Sequence, residues 1–304
     1  MIHRKFHFII GLLLMLSAFS SLFLACTKNN SQPIIRIGCK NFTEQFILAE
    51  IMAQLIENRT HIKVERVFNL GGTMICHNAL TSGEIDLYPE YTGTGLTAIL
   101  QQDIITDQDE AFTFVSNNYL ETYQLTWLQP FGFNNTYALT IRGNDARQQG
   151  WTTISDISAA GPALNAGFTA EFIERADGYP GLKKQYGIAF KSVKDMDPSL
   201  MYRAIAEREV DVICAFSTDG RINAYDLLPL EDDKHFFPPY QAAPVVRAEA
   251  LKRYPEIKKV LQLLAGTINN RVMQQLNYDV DEKKESPELV AKKFLQDNDL
   301  LRKL

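Results

Sequence analysis

Two short segments, Glu84-Ile85-Asp86-Leu87 and Glu209-Val210-Asp211-Val212, run the same charged turn into the same apolar alternation. Each follows a helical stretch, one carrying Ala79-Leu80 and the other Ala204-Ile205. In that register Tyr91 falls on Phe216, Thr92 on Ser217 and Gly95 on Gly220. A helix–strand unit used twice predicts two similar α/β lobes, each ending a strand in an aromatic and a small polar residue. Ligands of open α/β sheets sit at that end of the strands. Chance recurrence of a common unit is the competing explanation.

The rest of the pattern agrees with an α/β chain. A strand is predicted over 34–38, then a helix opened by a capping box of Asn41 with Glu44, with Leu48, Ile51, Met52, Leu55 and Ile56 at helical spacing. A strand over 62–68, Gly71-Gly72, a helix over 74–80 and a strand over 84–88 follow, an alternation that predicts a parallel sheet. Further strands are expected over 137–142, 191–196 and 210–216, a helix over 198–209, and an extended run over 236–247 before two or three final helices. A chain of 304 residues suits two modest cores. Its formal net charge of −5 and its lack of a basic stripe argue against nucleic acid as a partner.

The beginning is different in kind. A short basic start, Arg4 and Lys5, precedes an uncharged apolar run from Phe8 to Ala25, the layout of a secretory signal over 1–25. An uncleaved anchor is the alternative. Leu22-Phe23-Leu24-Ala25-Cys26 resembles a bacterial lipoprotein box, with Phe23 where Leu or Val is usual, so Cys26 is the candidate for lipidation. Residues 26–33 then read as a polar tether, and the remaining chain as extracytoplasmic. Cys39, Cys76 and Cys214 are an odd set; buried free thiols are expected ahead of a Cys39–Cys76 bridge.

Catalytic signatures are missing. No G-x-S-x-G elbow, P-loop or Rossmann glycine fingerprint occurs, and none of the five histidines has metal-ligand spacing. His77 reads as a surface or capping residue. Aromatics instead fall where loops should meet, among them Tyr88, Tyr91, Tyr137, Phe216 and Tyr240. Tyrosines at strand ends beside Gly and Pro build cores poorly, because the hydroxyl needs a partner. Converging rings hold a quaternary ammonium by cation–π attraction, ~0.5–2 kcal/mol each when desolvated. The expectation is a binding protein without cofactor or metal, not an enzyme.

Several separated motifs in order, "IGCKNFTEQFILAEI", "NLGGTMICHNAL", "DLYPEYTGTG", "GFNNTYAL", "FSTDGRI" and "EDDKHFFPPYQAAPVVR", resemble the extracellular solute-binding proteins of osmoprotectant ABC transporters for glycine betaine, carnitine and choline. The resemblance implies a type II periplasmic-binding-protein fold, two α/β lobes joined by two crossing segments around a cleft. It implies lobe I over 34–136 and 242–304, lobe II over 137–241, and a monomer serving a separate permease and ATPase. It implies an aromatic box of Tyr91, Tyr137, Phe216 and Tyr240, with the Asn135 carbonyl beside the ammonium. Phe216 stands where many relatives have Tyr. Lys40, Thr94 and Arg175 are implied as carboxylate binders; without the resemblance Lys40 reads as a solvated lysine, and Arg175 as a helix-surface cation among Glu171, Glu174 and Asp177. Two cations beside uncharged rings would repel choline and suit a zwitterion, so glycine betaine is expected. A choline- or carnitine-preferring protein, or a betaine-acting enzyme on this scaffold, stays open as the alternative.

Overall fold

The computed structural model of the protein describes residues 32–301. The expected leader over 1–25, Cys26 and the tether as far as residue 31 lie outside the described residues. Among the described residues no helix is long and apolar enough to cross a membrane.

The strands, in order, are β1 (Ile34–Gly38), β2 (Lys63–Val67), β3 (Leu87–Tyr91), β4 (Leu125–Trp127), β5 (Tyr137–Arg142), β6 (Asn165–Phe168), β7 (Ser192–Asp195), β8 (Val212–Phe216), β9 (Leu227–Pro229) and β10 (Ala242–Arg247). They form two five-stranded sheets, β2-β1-β3-β10-β4 and β7-β6-β8-β5-β9. The chain thus crosses from the first sheet to the second between β4 and β5, and returns between β9 and β10. The result is a two-lobed α/β fold.

Both sheets are mixed, where the alternation predicted parallel ones. β1 runs parallel to β2 and β3, and β6 parallel to β7 and β8; β10 and β5 are antiparallel to their neighbours on both sides. These two antiparallel strands follow directly on the two crossings, so each enters its sheet from the opposite end.

The sequence repeat has a structural counterpart in each sheet. Asp86 bonds Arg36 of β1 twice, N–H to O at 2.8 Å and Oδ2 from N–H at 2.8 Å. Asp211 makes the same pair with Asn165 of β6, at 2.7 and 2.9 Å. The strands begin later than predicted, at Leu87 and Val212, where pairing with Val246 and Ile141 begins. β3 is buried along its whole length, so Tyr88 and Glu90 are strand residues with internal partners.

The helices bearing on the site are α1 (Thr43–Arg59), α2 (Thr73–Ser82), α3 (Ala170–Glu174), α4 (Asn270–Asp281) and α5 (Pro287–Asp297). α1 buries Ile47, Leu48, Ile51, Met52, Leu55 and Ile56 completely and packs against α5. Each such side chain contributes ~1.5–3 kcal/mol relative to exposure. Its N-cap is Phe42 and makes no side-chain cap, so the predicted Asn41–Glu44 capping box does not form. Glu44 is drawn inward by other donors instead. Beyond β10 the described residues form four α-helices, more than the two or three expected, Ala248–Arg253, Glu256–Leu261, α4 and α5, with a 3-10 turn at Gln262–Leu264.

Cys39, Cys76 and Cys214 are free and buried. Burial pushes the thiols of Cys39 and Cys76 up to about 12. His77 is also buried, against expectation, edge-on to Tyr119 and Tyr123 with ring centroids 5.7 and 4.8 Å away.

Candidate functional site

The strand ends and the crossings converge on one small cavity between the lobes. Lys40, Phe42, Tyr91, Thr94, Asn135, Tyr137, Phe216 and Tyr240 line it. Tyr91 ends β3, Phe216 ends β8, and Tyr137 opens β5 directly opposite Phe216 in the ladder. Tyr240 and Asn135 come from the two crossings, tied together by Asn135 N–H donating to the Tyr240 carbonyl at 3.0 Å.

The rings contact one another across the lobes. Phe42 stacks on Phe216, 5.3 Å between centroids and 3° between planes, and on Tyr91 at 6.3 Å. Tyr137 lies edge-on to Tyr240 at 5.3 Å and tilted to Phe216 at 5.7 Å. Phe42 was passed over by sequence reasoning although it sits inside "GCKNFTEQ". Nothing in its local pattern separates a ring at a helix start from a core residue.

Neither cation is bare. Lys40, 4% exposed, donates to Glu90 at 2.7 Å and to the Thr73 hydroxyl at 2.9 Å. Glu90 is also bonded by the Tyr91 N–H at 2.7 Å and the Tyr88 hydroxyl at 2.9 Å. Arg175 does not line the cavity, but its guanidinium lies 5.7 Å from the Tyr137 ring centroid and reaches the Thr94 hydroxyl at 3.3 Å. Two of its nitrogens bind Asp177, at 2.8 and 2.5 Å. Tyr240 and Thr97 hydroxyls also donate to Asp177, each at 2.6 Å. Burial pushes the Asp177 carboxyl up, but Arg175 and these hydroxyls outweigh it and hold it below the usual carboxylate range. The net positive charge expected from Lys40 and Arg175 is therefore cancelled by Glu90 and Asp177.

Directional capacity survives the cancellation. Among the described residues, the partners of Lys40 take two of its three N–H groups, and those of Arg175 four of its five. Thr94 accepts from Arg175, which leaves its own proton to donate. Two of these donors, on Lys40 and Thr94, thus line the aromatic cavity, and the third, on Arg175, lies beside the Tyr137 ring.

Glu44 was also missed. Its buried carboxyl accepts from the Tyr91 hydroxyl at 2.8 Å, Asn135 Nδ2 at 2.8 Å, the Thr218 hydroxyl at 2.5 Å and Asn277 Nδ2 at 3.1 Å. Burial raises it above the usual carboxylate range, opposed by these four bonds. It ties α1, the Tyr91 ring, a crossing, the segment after β8 and α4 at one point.

Two lobes linked by two crossings, with an aromatic pocket between them, match the type II periplasmic-binding-protein architecture. Residues 33–297 match the family model OpuAC, the substrate binding domain of ABC-type glycine betaine transport systems. The chain belongs to this family of extracytoplasmic, non-catalytic binding components of ABC transporters for osmoprotectants. It is 39% identical over 299 residues to the carnitine transport binding protein OpuCC of Listeria monocytogenes, covering 97% of each chain. It is 38% identical over 294 residues to the ergothioneine transport permease/ergothioneine binding protein EgtU of Helicobacter pylori strain G27, covering 96% of this chain and 53% of that one. A crystal structure of a glycine betaine/carnitine/choline ABC transporter protein superposes with a TM-score of 0.73 at 37% identity, covering 88% of this chain and 99% of that one.

Proposed function

We propose that this protein captures a zwitterionic quaternary ammonium compound, glycine betaine ahead of choline, and delivers it to an ABC permease. The ammonium is held by Tyr91, Tyr137, Phe216, Tyr240 and Phe42, with the Asn135 carbonyl beside it. The carboxylate takes the remaining donors of Lys40, Thr94 and Arg175. The observation that carries this reading is that Lys40 and Thr94, each with a donor to spare, share one cavity with five rings, with Arg175 beside the Tyr137 ring. Because both cations are paired, preference over choline rests on hydrogen bonds and not on repulsion. Carnitine, ergothioneine and glycine betaine, each in the name of a relative, all carry a trimethylammonium group and a carboxylate, which favours the same end-to-end arrangement; choline, also named for the solved structure, lacks the carboxylate. Carnitine is the second reading, supported by the name of the OpuCC relative.

Capture is by closure of residues 34–136 with 242–304 against 137–241, hinged at the crossings near Asn135 and Tyr240. A ligand touching both lobes favours the closed form that the permease reads. Before that, the leader is removed and Cys26 acylated; mass spectrometry of the membrane-bound protein finding Met1, or an unmodified Cys26, would exclude the anchor. Calorimetry with glycine betaine, proline betaine, carnitine, choline and proline tests the ligand. Heat from the betaines with weaker choline is expected; silence from every quaternary compound rejects the proposal.

A further inference from the structure

α2 starts without a cap of its own. Its N-cap is Gly72, which has no side chain, and the first-turn N–H groups of a helix have no intrahelical acceptor. The acceptor comes from the other lobe: Glu171 Oε1, on α3, accepts from the Thr73 N–H. A Cβ on Gly72 would stand 2.5 Å from that oxygen, so the glycine makes room for the incoming carboxylate. The Thr73 hydroxyl accepts from Lys40, which places a cation beside the same helix start. Burial pushes the Glu171 carboxyl up, but the charges of Lys40 and Arg175 outweigh it and keep it ionised. Glu171 itself lies outside the lining of the aromatic cavity.

We propose that Glu171 is a positioning residue for ligand capture: it caps α2 across the cleft and so stabilises the closed arrangement whatever ligand is bound. A negative carboxylate at a helix N-terminus gains from the helix dipole as well as from the hydrogen bond. Opening the lobes takes it away and leaves the Thr73 N–H to water. The apparent affinity of a two-lobed binder scales with the fraction of protein in the binding-competent state. Through closure Glu171 therefore moves all affinities together, and any effect of its charge on the betaine-to-choline ratio is shared by Glu171→Gln. This rests on the ligand class proposed above only for the choice of probes.

The test uses Glu171→Ala, Glu171→Gln and the double variant Gly72→Ser/Glu171→Ala, in which serine supplies a local cap in the space that glutamate vacates. Small-angle scattering of the ligand-free protein reads lobe separation, and calorimetry reads glycine betaine and choline. Expected is a larger radius of gyration in Glu171→Ala and a loss of about tenfold for both ligands, with the betaine-to-choline ratio the same as in Glu171→Gln, which removes the same charge. Glu171→Gln, which keeps an acceptor without charge, should fall between. The double variant should regain thermal stability but neither compactness nor affinity. An unchanged radius in Glu171→Ala overturns the proposal, as does recovered affinity in the double variant, since a local cap would then suffice. A shift in the betaine-to-choline ratio in Glu171→Ala beyond that in Glu171→Gln also overturns it, by placing Glu171 against the ligand. If no quaternary compound binds even the unaltered protein, the ligand reading fails while the scattering comparison still decides on Glu171.

Discussion

Arg175→Ala is the obvious test of the carboxylate clamp, and the structure shows why it misleads when made alone. Asp177 has no exposed side-chain surface, and Arg175 supplies two of the bonds that satisfy it. Truncating the arginine strands a buried carboxylate, a loss of ~3–5 kcal/mol in stability. The Tyr240 and Thr97 hydroxyls that remain on Asp177 place this protein at the lower end of that range. The bare anion behind Tyr240 would also attract any cation, so choline would gain for a reason unrelated to the clamp. Arg175→Ala/Asp177→Asn removes the pair together and leaves the net charge unchanged. An asparagine carbonyl still accepts from Tyr240 and Thr97, so much of the lost stability should return. If Arg175 bonds the ligand carboxylate, the double variant still loses a charge-assisted hydrogen bond, ~1.5–3 kcal/mol, or roughly ten- to hundredfold in glycine betaine affinity. Choline should change little. Calorimetry on both variants reads the ratio. A double variant that binds betaine and choline in the original proportion would show that Arg175 serves only Asp177.

Phe42→Ala should weaken every quaternary ligand by ~1–2 kcal/mol, about five- to thirtyfold in calorimetry, because it removes a ring face and the partner that Phe216 stacks on. Cys39, Cys76 and Cys214 should resist iodoacetamide at pH 8 in the folded protein and react after denaturation, as judged by mass shift. Asp177 and Glu171 are held below their unfolded values, so the stability they contribute is present above about pH 4 and is lost as pH falls through their folded values. Glu44 is raised and acts in the opposite sense, losing stability as pH rises from its unfolded value towards its folded one. Melting temperatures between pH 3 and 6 should therefore fall less steeply on the acid side in Asp177→Asn, and an unchanged slope would count against the pairing.

The lobes were legible because local signals agree with the global fold: Glu84–Leu87 and Glu209–Val212 repeat, and each repeat sits against a like-placed strand in its own sheet. Strand direction was not legible, since β10 and β5 look like any apolar run until the crossings that feed them are known. The rings Tyr91, Tyr137, Phe216 and Tyr240 were found through motifs, and they line one cavity. What the sequence hid is pairing at a distance. Glu90 lies fifty positions from Lys40, and Glu44 collects donors from positions 91, 135, 218 and 277. No periodicity encodes such contacts. Asp177 is only two residues from Arg175, yet proximity in sequence could as well have meant a solvated pair on a surface. That gap changes the physics of recognition. Unpaired cations would select against choline through long-range repulsion, which weakens with salt. Paired cations with one donor each to spare would select through short, directional bonds that salt screens far less, so discrimination between betaine and choline should persist when ionic strength rises. If the proposed carboxylate contacts hold, that selectivity comes from Glu90 and Asp177 as much as from Lys40 and Arg175.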